Sequence, residues 1–260
     1  MGDLVRIDTD ARGVATFWLA RAEKHNALSA DLIDEVHAGI QRLGADEAVR
    51  VVVLAGEGKS FCAGGDLGWM QEQMAADGET RASEAWRLAE MLGAVNACPK
   101  PVIGRIHGNA FGGGVGMACV CDVAIAVEGA KFGFTETRLG LIPATIGPYV
   151  LARMGEAMAR RVFMSARIFG AQEAAILGVV AEVVAEGELD AAVERHVAPY
   201  LDCAPGAVAE AKALALRLGA APSFEAVETS VEALVTRWES AEAQEGITAF
   251  FDKRKASWMG

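Results

Sequence analysis

Three short runs in this chain, Arg50-Val-Val-Val-Leu-Ala-Gly56, residues 101–108 and residues 122–127, are largely apolar at consecutive positions instead of at every second one. A strand with that pattern hides both faces, which suits a parallel sheet covered by helices. Between the first two, residues 80–97 have helical character and are stopped by Pro99 and Pro101. Strand, helix, strand is a βαβ unit. A further helix is expected after the cluster Gly112-Gly113-Gly114-Val115-Gly116, before the third run. The fold class is therefore α/β.

At the start of the chain, residues 5–8 and 14–19 alternate as hairpin strands about a turn at 10–13. Ser29 is placed to cap a helix in which Leu32, Ile33, Val36, Ile40 and Leu43 keep a 3.6-residue period. After Gly147 the sequence turns to Ala-rich helical stretches at 149–154, 156–164 and 172–177, with a strand-like interruption at 179–184. Helices resume at 189–201, 205–217, 224–240 and 244–251. Two regions are expected: an α/β core over 1–190 and a helical region over 191–260. The apolar stripe Val231, Leu234, Val235 and Trp238 reads as an interface, because the preceding sheet is too small to cover it.

Composition narrows the function. The 260 residues are 52% hydrophobic and 23% charged, an ordinary globular balance at a size that one core can fill. With 24 Lys+Arg against 35 Asp+Glu, the net charge of −11 counts against nucleic-acid binding, which needs clustered cations. No run of 18 apolar residues occurs, so no membrane span is expected. The start, Met1-Gly-Asp-Leu-Val-Arg-Ile-Asp8, lacks the basic region and apolar run of a leader. Cys62, Cys98, Cys119, Cys121 and Cys203 are odd in number and scattered, as reduced thiols are, so a cytoplasmic protein is expected.

Several motifs fail on inspection. Gly58-Lys59-Ser60 resembles the end of a P-loop, but Val53 stands where that motif needs glycine. Met117 occupies the last glycine position of a dinucleotide fingerprint. Cys119 and Cys121 have no second pair at zinc spacing, and His25, His37, His107 and His196 share no ligand spacing. What remains is a pair of glycine-rich segments, Ala63-Gly64-Gly65-Asp66 and Gly112-Gly113-Gly114, each following a buried strand. At the ends of adjacent parallel strands, two such segments aim two backbone N–H groups at one point, and the second also opens a helix whose positive end favours an anion. That is the construction of an oxyanion hole.

Phe61-Cys-Ala-Gly-Gly-Asp-Leu67, Ile106-His-Gly-Asn-Ala-Phe-Gly-Gly-Gly114, Cys121-Asp-Val-Ala-Ile-Ala126 and Phe132-Gly-Phe-Thr-Glu-Thr-Arg-Leu-Gly-Leu-Ile-Pro143 resemble the enoyl-CoA hydratase/isomerase family, the crotonases. Arg21-Ala-Glu-Lys-His-Asn-Ala-Leu28 and Glu245-Gly-Ile-Thr-Ala-Phe-Phe-Asp-Lys-Arg-Lys255 match its two ends, so the resemblance covers nearly the whole chain in order. It implies a crotonase-like spiral of ββα units with a helical C-terminal trimerisation region, assembled as a homotrimer or a dimer of trimers. It also implies an acyl-CoA thioester substrate, with no metal and no cofactor beyond the coenzyme A of the substrate itself.

Residue by residue, the resemblance gives Ala63 and Gly113 as donors to the thioester oxygen, and Ala63, Gly64, Gly65, Asp66 and Gly113 as the substrate-binding backbone. Glu136 matches a catalytic glutamate, and Phe132, Phe134 and Leu139 are expected to surround it and raise its pKa. Lys253 and Lys255 match positions near the CoA 3′-phosphate, often reaching it from a neighbouring subunit, and Arg21 and Lys24 are candidates for the same nucleotide. One departure stands out: two-glutamate hydratases carry a second glutamate where this chain has Gly116. A single glutamate at the Glu136 position is the pattern of the Δ3,Δ2-enoyl-CoA isomerases. The segments around Gly113 and Pro143-Ala-Thr-Ile146 are nonetheless more similar to bacterial hydratases of branched, carboxylated substrates such as 3-methylglutaconyl-CoA. There the Pro143-Ala-Thr-Ile146 turn lines the acyl pocket, and Arg138 is a candidate partner for a substrate carboxylate. Three functions follow: a hydratase, an isomerase, or a non-catalytic acyl-CoA or RNA binder, the last disfavoured for RNA by the negative charge.

Overall fold

The computed structural model describes residues 4–219 and 222–259. Residues 1–3, where the start of the chain was read, and Gly260 lie outside the described residues. Strands β1 (Val5–Thr9) and β2 (Val14–Leu19) form the expected antiparallel hairpin, Val5 opposite Leu19. Helix α1 (Ala30–Ala45) begins where Ser29 Oγ accepts the Leu32 N–H at 3.3 Å, and it buries Leu32, Ile33, Val36, Ile40 and Leu43 as their spacing requires.

The chain then makes the same move three times. Strand β3 (Val51–Gly56) is followed by the short β4 (Ser60–Cys62), then by α2 (Leu67–Ala75) and α3 (Gly78–Ala97). Next come β5 (Val102–Ile106), β6 (Asn109–Phe111) and α4 (Gly113–Val120). The third pass is β7 (Val123–Val127), β8 (Lys131–Gly133), a 3-10 turn Glu136–Leu139, then α5 (Gly147–Met154) and α6 (Glu156–Phe163). The remainder is β9 (Ile168–Gly170), α7 (Ala171–Ile176), β10 (Glu182–Val184), α8 (Leu189–Leu201), α9 (Pro205–Leu218), α10 (Phe224–Trp238) and α11 (Ala241–Phe251).

First strands join one sheet, in the order β1-β2-β3-β5-β7-β10, and second strands join another, in the order β4-β6-β8-β9. Every pairing from β2 to β10 in the larger sheet is parallel, with β3, β5 and β7 side by side. Because each pass adds one strand to both sheets, the chain advances as a spiral of ββα units. The doubly buried runs are explained by this: β3 has no exposed residue, and the larger sheet supplies most of the main core. The second sheet escapes a hydropathy reading because its strands are three residues long, too short to show a period.

Two expectations about the C-terminal region need correction. The boundary at 190/191 falls inside α8, which packs on β3, β5 and β7 and places Leu189, Ala192, Val193 and Val197 in the main core. The apolar stripe of α10 is also partly covered within the chain, since α10 packs on α3 and α5 and buries Val231 and Trp238, while Leu234 and Val235 stay half-buried. A second, smaller core of Met70, Leu141, Trp238, Ala243 and Ile247 joins α2, the turn after Glu136, α10 and α11. The last two helices therefore lie over the segment that carries Glu136. No helix among the described residues is long and apolar enough to cross a membrane.

Candidate active site

The two glycine-rich segments leave β4 and β6, neighbouring parallel strands of the second sheet, and not the long strands of the first. They abut closely: a Cβ on Gly64, which sits at φ +93°, would lie 3.0 Å from the Phe111 carbonyl oxygen. Gly112 adopts φ 48°, ψ −115°, a conformation that side chains disfavour. Its N–H donates to the Gly133 carbonyl at 2.9 Å, and its carbonyl accepts from Val115 and Gly116 to open α4. Gly113, the first residue of that helix, keeps an N–H with no acceptor among the described residues, as first-turn residues do.

The partner donor is not Ala63. Its N–H is committed to the His25 carbonyl at 3.0 Å. Three residues after His25, Leu28 pairs with the segment through its N–H to the Gly64 carbonyl, 2.7 Å, and through its carbonyl to the Asp66 N–H, 2.9 Å. In a parallel bridge of that kind the residue between, Gly65, contributes neither group, so its N–H has no acceptor among the described residues. The free pair is Gly65 and Gly113, and both line the same cavity.

Residues 25–28 thus clamp residues 63–66. The clamp is itself fixed by Asn26, fully buried, whose Nδ2 donates to the carbonyls of Glu57 and Ser60 at 2.9 Å each, while its Oδ1 accepts the Arg21 N–H at 3.0 Å. Asn26 was not singled out from the sequence, where a lone asparagine in a polar segment carries no period. Asp66 Oδ1 accepts the N–H groups of Gly68 and Trp69 to cap α2, and its Oδ2 pairs with Arg21 at 2.8 Å. Burial acts to raise the Asp66 carboxyl, but the Trp69 and Gly68 amides and the Arg21 charge outweigh it and hold the group below the usual range. Both side chains are thereby taken up in holding the loop. Neither Asp66 nor Arg21 is among the residues that line the cavity described below.

Glu136 enters from the other side, three residues after β8. Its carboxylate lies against Gly112, where a Cβ would stand 3.0 Å from Oε1, and its Oε2 is buried with no hydrogen-bond partner. Burial pushes its pKa up to about 7, with only its own backbone N–H acting the other way. The expected apolar surround is partly different: Leu139 lines the cavity with Glu136, whereas Phe132 and Phe134 are buried in the main core behind it. The position of a second carboxylate is closed. A Cβ on Gly116 would lie 2.6 Å from Ile146 Cγ2, so the Ile146 side chain fills the space that a longer residue there would need.

These groups surround a cavity of about 380 Å³. Ala63, Gly64, Gly65, Gly112, Gly113 and Glu136 form its polar end. Leu67, Trp69, Met70, Leu141, Pro143, Leu234, Trp238 and Phe250 are among its apolar walls. The contributions of α10 and α11 come from more than 90 residues away and had been assigned elsewhere or missed. Arg138 and Glu136 are its only charged lining residues among the described ones, and the Arg138 guanidinium donates to the Ala166 carbonyl at 3.3 Å. Lys24, Lys253 and Lys255 are exposed and do not line it. No group of three or more His, Cys, Asp or Glu among the described residues is placed to hold a metal ion.

A buried acid of raised pKa that shares one chiefly apolar cavity with two glycines whose N–H groups are unpaired is an arrangement suited to oxyanion-stabilised proton transfer. The chain belongs to the enoyl-CoA hydratase/isomerase family, whose model matches residues 9–260. An enoyl-CoA hydratase of Alternaria alternata is 38% identical over 78% of this chain, although the match spans only 66% of that protein's length. A crotonyl-CoA hydratase of Syntrophomonas wolfei is 31% identical over 95% of this chain and 94% of its own. Among solved structures, an enoyl-CoA hydratase from Mycobacterium avium superposes with a TM-score of 0.87 at 31% identity, covering 100% of both chains.

Proposed function

We propose that this protein hydrates a 2-enoyl-CoA thioester with Glu136 as its single acid–base group. The observation that carries the reading is the unpartnered, buried Glu136 carboxylate opposite the free N–H groups of Gly65 and Gly113. Those two donors bind the thioester oxygen and stabilise the negative charge that reaches it when C3 is attacked, each donor being worth about 10²- to 10³-fold in rate. As water adds to C3, Glu136 takes one of its protons. The electron pair of the double bond moves to C2 and onto the thioester oxygen, and Glu136 returns the proton to C2. One water is added and the carboxylate is regenerated.

The substrate supplies its own electron sink and the peptide N–H groups hold the oxyanion, so no metal or redox cofactor takes part. Dialysis against EDTA is expected to leave turnover unchanged. The proposed acyl group is of a branched, carboxylated class such as 3-methylglutaconyl-CoA, supported by Arg138 as the one cation among the described lining residues of a chiefly apolar wall. Lys24, Lys253 and Lys255, exposed and basic, remain the proposed partners of the CoA nucleotide, which lies outside the acyl cavity. The net charge of −11 speaks against nucleic acid as a partner.

A second reading has a specific observation in its favour. Closure of the Gly116 position by Ile146 leaves one carboxylate, enough to carry a proton between C2 and C4 in a Δ3,Δ2-isomerase. The experiment is turnover of a panel of enoyl-CoA thioesters in oxygen-18 water. Hydration places the label in the product, and a panel in which double bonds migrate without label uptake sinks the hydratase reading.

A further inference from the structure

Two buried side-chain oxygens at the cavity have no hydrogen-bond partner: Glu136 Oε2 and Thr145 Oγ1. The other unpartnered buried side-chain polar atoms among the described residues are two nitrogens, Trp18 Nε1 and His107 Nδ1, of residues that do not line it. Thr145 is 3% exposed. A buried hydroxyl left unpaired is destabilising, a penalty that the near-isosteric valine would avoid. In a wall made chiefly of apolar side chains, such a group marks a place where a ligand supplies the missing hydrogen bond. Its neighbour in sequence is the residue that closes the Gly116 position. Within one turn, Ile146 removes the room for a second carboxylate, and Thr145, with its unpaired Oγ1, lines the same cavity.

We infer that Thr145 is the second holder of the attacking water, standing in for the carboxylate that Gly116 and Ile146 exclude. The inference rests on the hydratase reading. A water attacking C3 must point a lone pair at the carbon, so both of its hydrogens must be held away from it. Glu136 Oε2 accepts one and Thr145 Oγ1 accepts the other. The O–H bond toward Glu136 breaks as the O–C3 bond forms, and that proton is delivered to C2. The hydrogen held by Thr145 is not transferred and becomes the hydroxyl hydrogen of the product. Proton movement at carbon alone needs Glu136 and the two N–H donors but no water, so Thr145 separates hydration from α-proton exchange.

The test compares wild type, Thr145→Val and Thr145→Ser in two assays: hydration of an enoyl-CoA, and exchange of the α-proton of the matching saturated acyl-CoA with deuterium oxide. Thr145→Val is expected to lower the kcat of hydration about 10- to 100-fold, the range that one hydrogen bond to a water supports. KM and the exchange rate should stay at wild-type values, and Thr145→Ser should restore hydration. If Thr145→Val does not fold, Thr145→Ala is put through the same two assays. Hydration at the wild-type rate in the valine or alanine variant overturns the assignment, as does an equal loss of hydration and exchange, which would mean a packing role. A wild-type protein that exchanges α-protons yet never takes up solvent oxygen overturns the hydratase reading itself, and the role of Thr145 falls with it.

Discussion

Glu136 couples the chemistry to pH through a single ionisation. Its pKa lies near 7, and hydration needs the carboxylate to accept a proton from water. The rate of hydration at low substrate should therefore rise with pH through about 7 and then level off, which initial rates across the range will show. Glu136→Gln keeps the size and polarity of the side chain but removes proton transfer, so kcat should fall about 10³-fold with thioester binding retained. Retention of more than about a tenth of wild-type turnover would dismiss Glu136 as the acid–base group. The same group sets a stability trend. A carboxyl raised from 4.5 to about 7 binds its proton more tightly in the folded chain, so the contribution of this group to stability is full below pH 4.5 and is lost as pH rises through 7. By this linkage Glu136→Gln should be more stable than wild type at pH 8 by roughly 3 kcal/mol, with the advantage gone near pH 4, as denaturant unfolding at the two pH values would reveal.

At the scale of elements, the site depends on a clamp with no chemistry of its own. Residues 25–28 hold residues 63–66 by three backbone hydrogen bonds, and Asn26 holds the clamp by three more. Asn26→Ala would strand two carbonyls and one N–H in a buried place. A loss of about 2–3 kcal/mol in stability is expected, together with a lower kcat because the Gly65 donor is no longer fixed. Unchanged thermal unfolding with unchanged turnover would contradict that role. This clamp also shows where sequence reasoning stopped. The segment ending at Leu28 was recognised as a family match, but its purpose was invisible, because its hydrogen bonds join residues about 35 positions apart. The same distance effect misplaced the donor: Ala63 and Gly65 look equally suitable in a glycine-rich run, and only the bond from Ala63 to His25 separates them.

For the whole molecule, assembly is proposed as a trimer or a dimer of trimers, with an exposed apolar cleft rather than the α10 stripe as its ground. Val231 and Trp238 of the α10 stripe are buried within the chain and Leu234 and Val235 are half-buried, so a more exposed apolar surface for a neighbour lies elsewhere. An open cleft of about 610 Å³ near α5, α6 and α10 is lined by Leu151, Phe163, Met164 and Ala226, with Leu151 and Met164 themselves exposed. Sedimentation of the wild type should give three or six times the chain mass. The double substitution Leu151→Glu and Met164→Glu should give a single chain, since two charges in a buried contact go unpaired. A wild type that sediments as one chain would remove the trimer from consideration. Truncation of the tail is a poor test of assembly, because Phe250 is part of the cavity wall and Ala256 is buried.

By itself, the sequence determined the features that repeat over short distances. The doubly apolar runs specified a covered parallel sheet, the 3.6-residue spacing and Ser29 specified α1, and the glycine clusters located the two turns that face the cavity. Glu136 was legible because its surrounding segment matches a family pattern, and its raised pKa followed from the expectation of burial. Tertiary structure decided what depends on groups distant in the chain. These are the second sheet of three-residue strands, the choice of Gly65 over Ala63, the packing of Ile146 into the space beside Gly116, and the closing of the cavity by α10 and α11. The physical reason is common to all four. Periodicity reports the environment of an element averaged along its length, whereas the free N–H, the filled space and the cavity wall are each fixed by one contact between residues that only folding brings together.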